Sequence, residues 1–97
     1  MWNVLQFTYR FEDQSEVRTK IQGHLHLEEA ETMFDHLRLA YRFDAPLKIK
    51  GGKRIRILSV SLFSSFREDR GEAEMEVRNG IARLIEEAHP LEIDLDA

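Results

Sequence analysis

Leu5, Phe7, Tyr9 and Phe11 take alternate positions near the start of the chain, with Gln6, Thr8 and Arg10 between them. A period of two sends successive side chains to opposite faces, so this segment reads as a half-buried strand. After the polar stretch from Glu12 to Ser15 the alternation returns: Val17, Thr19, Ile21, Leu25 and Leu27 against Arg18, Lys20, Gln22, His24 and His26. A loop of Asp13, Gln14 and Ser15 sets Phe11 opposite Val17 and Phe7 opposite Ile21. Both apolar sets then share one face, as a hairpin requires.

At Glu28 the period changes. Ala30, Met33, Phe34, Leu37 and Tyr41 recur at helical spacing and form one apolar stripe. Glu28, Glu29 and Glu31 in the first turn, with Arg38 and Arg42 near the last, complement the helix dipole. Pro46 disfavours helical geometry in the residue before it, which ends a helix over 28–42.

The segment 47–57 alternates again, and its polar positions are all cations. A loop of Gly51, Gly52 and Lys53 pairs Lys50 with Arg54, Lys48 with Arg56, Ile49 with Ile55 and Leu47 with Ile57. One face is then aliphatic and the other basic. Past Ile57 the parity flips, because Leu58, Val60, Leu62 and Phe66 fall where the cations fell before. A bulge near 57–58 accounts for the flip and makes the basic hairpin an arm leaving the sheet.

Residues 67–89 fit either one helix or a strand followed by a helix. The second is preferred: Asn79-Gly80 within a helix costs about 1–2 kcal/mol, whereas Asn79 is a good cap for a helix over 80–89. After Pro90, Leu91, Ile93 and Leu95 alternate with Glu92, Asp94 and Asp96 as a short last strand. The elements add up to one α+β domain spanning 1–97. It is a two-layer sandwich of an antiparallel sheet of five or six strands, with two helices on one face. The expected core is Leu5, Phe7, Phe11, Val17, Ile21, Phe34, Leu37, Leu62, Val77, Ile81, Leu84 and Ile85. Trp2 and Val4, of opposite parity, are expected on the open face as an interface patch.

Charge changes this picture in one place. Lys48, Lys50, Lys53, Arg54 and Arg56 are the hairpin's five cations, and it has no acid. The other 9 cations stand against 18 acids, so the rest of the chain carries −9. Like charges gathered on one arm suggest an anionic counterpart, an acidic protein, a nucleic acid, or the acidic strand Glu92, Asp94 and Asp96; the other reading is a solvated hairpin whose charges keep an exposed edge from pairing. Those acids and the Trp2–Val4 patch point to a homodimer.

No apolar run is long enough to span a bilayer, and no basic-then-apolar leader opens the chain, so a cytoplasmic location is expected. The chain has no cysteine, which removes thiol chemistry and thiolate metal sites. His24 and His26 lie two apart beside Glu28, with His36 and His89 elsewhere. That set falls short of three or four converging ligands, so no metal is expected. Ser59, Ser61, Ser64 and Ser65 stand in no nucleophile motif. No catalytic residue and no cofactor are indicated. The expected function is a small non-enzymatic binding module whose basic hairpin engages an anionic partner. The alternative is an acidic regulator or inhibitor acting through its negative body.

Overall fold

The computed structural model describes residues 1–90. The protein is an α+β domain, and among these residues it has a five-stranded antiparallel sheet and two helices. The elements are β1 (Trp2–Phe11), β2 (Arg18–His24), α1 (Leu27–Arg42), β3 (Leu47–Lys48), β4 (Arg54–Ser65), α2 (Arg70–Arg78) and β5 (Arg83–Glu87). The strand order is β2-β1-β4-β3, and β5 also pairs with β4. Two short strands therefore share one edge of β4: β3 beside Arg54 and Ile55, and β5 beside residues 61–64.

The strand periodicity sorts the core into two clusters. Leu5, Phe7, Ile55, Ile57, Val60 and Leu62 lie with Ala30, Phe34, Leu37 and Ala40 of α1. Val4 lies with Ala73 and Val77 of α2, flanked by Trp2, Ile21 and Phe63. Val4 and Leu5 are consecutive residues of one strand and point to opposite faces. The helices therefore divide between the two faces of the sheet, where both were expected on one.

The strand-then-helix expectation for residues 67–89 is overturned. Residues 70–78 are the helix and 83–87 the strand. Asp69 starts α2, its Oδ2 accepting from the Glu72 amide at 3.0 Å. Gly80, at φ +75°, follows it in a conformation suited to glycine. Asn79-Gly80 thus closes one helix instead of opening the next. Ile81, Leu84 and Ile85, expected in the core, are about half or more exposed beside it.

The β1–β2 register is one residue away from the expected one. Phe7 pairs with Lys20, and Gln6 with Ile21. A six-residue connection, 12–17, replaces the three-residue loop, and a one-residue slip turns every β2 side chain over. Ile21 moves under α2, and Val17 is left exposed. The close fit of α2 suits this register. A Cβ on Gly23 would lie 2.8 Å from Arg70 Cγ, and the Gly23 amide donates to Glu74 Oε2 at 2.7 Å.

Candidate functional site: the basic hairpin

The hairpin keeps a three-residue loop but differs in register from the expected one. Leu47 pairs with Ile55 and Lys48 with Arg54. The Ile49 amide donates to the Lys53 carbonyl at 2.8 Å. The loop is Lys50-Gly51-Gly52, with Gly51 at φ +90° and Gly52 at φ +80°, a left-handed geometry that glycine adopts without a Cβ penalty. This register is two residues from the expected one. An even shift preserves the faces, so Ile55 and Ile57 are buried against α1 while Lys48, Arg54 and Arg56 occupy the other face.

The hairpin is not a free arm. Arg56 pairs with Arg10 and Ile55 with Phe11, and the Glu12 amide donates to the Arg54 carbonyl at 3.0 Å. The expected irregularity is present: Thr8 pairs with Ser59 but Tyr9 with Ile57, which leaves Leu58 as the extra residue of a bulge. Instead of releasing the hairpin, the bulge turns its apolar side chains back toward the α1 face.

The five cations differ in their surroundings. Arg56 is neutralised internally, its Nη2 lying 3.1 Å from Glu12 Oε1 and its Nη1 3.4 Å from Asp44 Oδ1. Nη1 also donates to the Asp44 carbonyl. Lys53 Nζ sits 5.3 Å from the centre of the Phe11 ring. Lys48, Lys50 and Arg54 are exposed and form no ion pair among the described residues. Sequence reasoning missed Arg18. Its Cζ is 5.1 Å from the same ring, so an aromatic does lie among the charges. The only sequence-level signal was that Arg18 opens the strand beside the one Phe11 closes.

The remaining expected site residues are placed as follows. Val4 is fully buried beneath α2. Trp2 is half-buried, and its Nε1 donates to the Glu68 carbonyl at 2.8 Å. The Trp2–Val4 patch is therefore covered by the protein's own helix. Glu92, Asp94 and Asp96, with the strand expected there, lie outside the described residues.

His24 faces a groove of about 660 Å³ with Glu28, Glu29, Thr32, Met33 and His36. Its Nδ1 is 4.0 Å from Glu29 Oε2. No group of three or more metal-ligating side chains forms among the described residues. Ser65 is engaged structurally: its Oγ donates to Glu76 Oε1 at 2.6 Å, and Arg67 Nε donates to Glu76 Oε2 at 2.9 Å. Among the described residues, no helix is long and apolar enough to cross a membrane. Compared with protein-family models, curated proteins and solved structures, the chain matches none.

Proposed function

We propose that the protein is a non-enzymatic binding module whose hairpin engages an acidic segment of another protein. The observation that carries this reading is the contrast among the cations: Arg56 has two internal acids, whereas Lys48, Lys50 and Arg54 have no ion pair among the described residues. They project from a strand pair fastened to the sheet, so little backbone ordering is needed on binding.

An acidic protein is favoured over nucleic acid by what surrounds the cations. Glu12, Asp13, Glu16 and Asp44 are exposed near the tip, where a continuous polyphosphate backbone would meet repulsion. Exposed Ile49 lies between Lys48 and Lys50 in the chain, a mixture common in protein interfaces. The Phe11 ring already has two cations over it, so it is not free to stack a base as single-strand binders require.

The second reading, an acidic regulator, has in its favour the exposed Glu28, Glu29, Glu31 and Asp35 of α1.

The test is fluorescence anisotropy at low salt with labelled poly-L-glutamate, an oligodeoxynucleotide and poly-L-lysine. Poly-L-glutamate should bind best. Replacing Lys48, Lys50 and Arg54 by serine should weaken it about tenfold, at about 0.5 kcal/mol per exposed contact. Unchanged binding by this variant overturns the reading. Tighter binding of the oligonucleotide transfers the hairpin to nucleic acid, and binding of poly-L-lysine alone supports the acidic regulator.

A further inference from the structure

We propose that a second anion-binding patch lies on the α1 face of the same sheet corner, round the edge from Lys48 and Arg54, where Arg18 and Lys53 flank Phe11 and engage carboxylates of an acidic peptide segment. This extension rests on the reading above and adds three residues to it, Arg18 and Lys53 as contacts and Phe11 as a positioning residue.

Arg18 is the first residue of β2, Phe11 the last of β1, and Lys53 the residue before β4. Three elements thus end at one corner of the sheet. The Arg18 guanidinium and the Lys53 ammonium lie 5.1 and 5.3 Å from the same ring centre. A phenyl face carries partial negative charge and attracts a cation. Each long side chain is therefore held against the ring before a ligand arrives, which reduces the rotamer freedom lost on binding.

Neither cation is committed elsewhere. Lys53 forms no ion pair among the described residues, and the acid beside Arg18 is Glu16, 3.6 Å away with both side chains largely in water. An exposed pair of this kind contributes little, so an incoming carboxylate can replace Glu16. Beside the ring a crevice of about 220 Å³ is lined by Lys53 and Arg54 together with Glu12, Asp13 and Gln14. Its volume suits a single side chain.

The experiment repeats the poly-L-glutamate titration with Arg18→Gln, Phe11→Leu and Phe11→Trp. Arg18→Gln should weaken binding about threefold. Phe11→Leu keeps an apolar side chain but loses the ring's charge distribution and should weaken it about two- to fivefold, while Phe11→Trp should restore it. Circular dichroism melts check folding, and Arg18→Gln, exposed and outside the core, keeps the test decisive if a Phe11 variant unfolds. If Arg18→Gln and Phe11→Leu bind like the parent while the triple hairpin variant does not, the extension is overturned and the hairpin reading stands. If the hairpin variant itself binds like the parent, both fall.

Discussion

Single side chains at two places tie distant parts of the chain together. Glu76 accepts from Ser65 and Arg67, and those hydrogen bonds, Ser65's first, hold its carboxyl below the ordinary value of 4.5. A carboxyl with a lowered folded pKa adds stability that is complete above its unfolded value and lost as pH falls through the folded one. The Glu76→Gln variant should therefore melt lower at neutral pH, and should lose less on acidification from about pH 4.5 to 2. Equal acid loss in thermal melts of both proteins would count against this role. Asp44, at φ +48° just past α1, stands where glycine is favoured. The Ala45 amide reaches the Ala40 carbonyl at 2.9 Å and closes the helix end. Asp44→Gly should stabilise the fold by about 0.5 kcal/mol, relief of backbone strain outweighing an exposed ion pair. It should also leave Arg56 with Glu12 as its one acid among the described residues and tighten poly-L-glutamate binding modestly. The basic residues were evident in the sequence because charge is. Which of them keeps an internal acid was not, because Glu12 and Asp44 reach Arg56 only through the fold.

Elements were legible wherever one face is buried against a large partner. The α1 stripe and the flip in parity at Leu58 both correspond to structure, since a bulge is the only way for Ile55, Ile57, Val60 and Leu62 to share the α1 face. Deleting Leu58 should be tolerated, at a cost of about 1–2 kcal/mol in urea melts, because a regular ladder would keep those side chains on α1. The segment after Phe66 misled for a different reason. α2 buries only Ala73 and Val77, too sparse a stripe for periodicity to reveal, and β5 is exposed at all five positions, so neither had a strong pattern. Asp69, three residues before Glu72, was the available signal, since that spacing marks a helix start. Asp69→Ala should cost about 1 kcal/mol.

Across the whole molecule, the sheet separates two unequal halves. The α1 side holds the larger core, and the α2 side is covered only at the end where Trp2, Val4 and Phe63 lie. The remainder of that face, with Thr8 and Ser59 bonded at 2.5 Å and the cations beyond them, is polar. A binding surface can sit there without competing with the core. Chelators should not alter the melting temperature, as the core clusters are made of apolar side chains.

The central pairing joins the first strand to one that begins at residue 54 and ends at 65. On a ribosome adding about 5–20 residues per second, β1 and β2 are finished roughly 2–8 s before Ser65 is made. In that interval the inner edge of β1 has no partner. Its Leu5, Phe7, Tyr9 and Phe11 are a strand edge open to any neighbouring nascent chain. Production of the protein should therefore depend on how quickly translation runs from 24 to 65, and slow codons placed within α1 should lower soluble yield more than the same codons after Ser65.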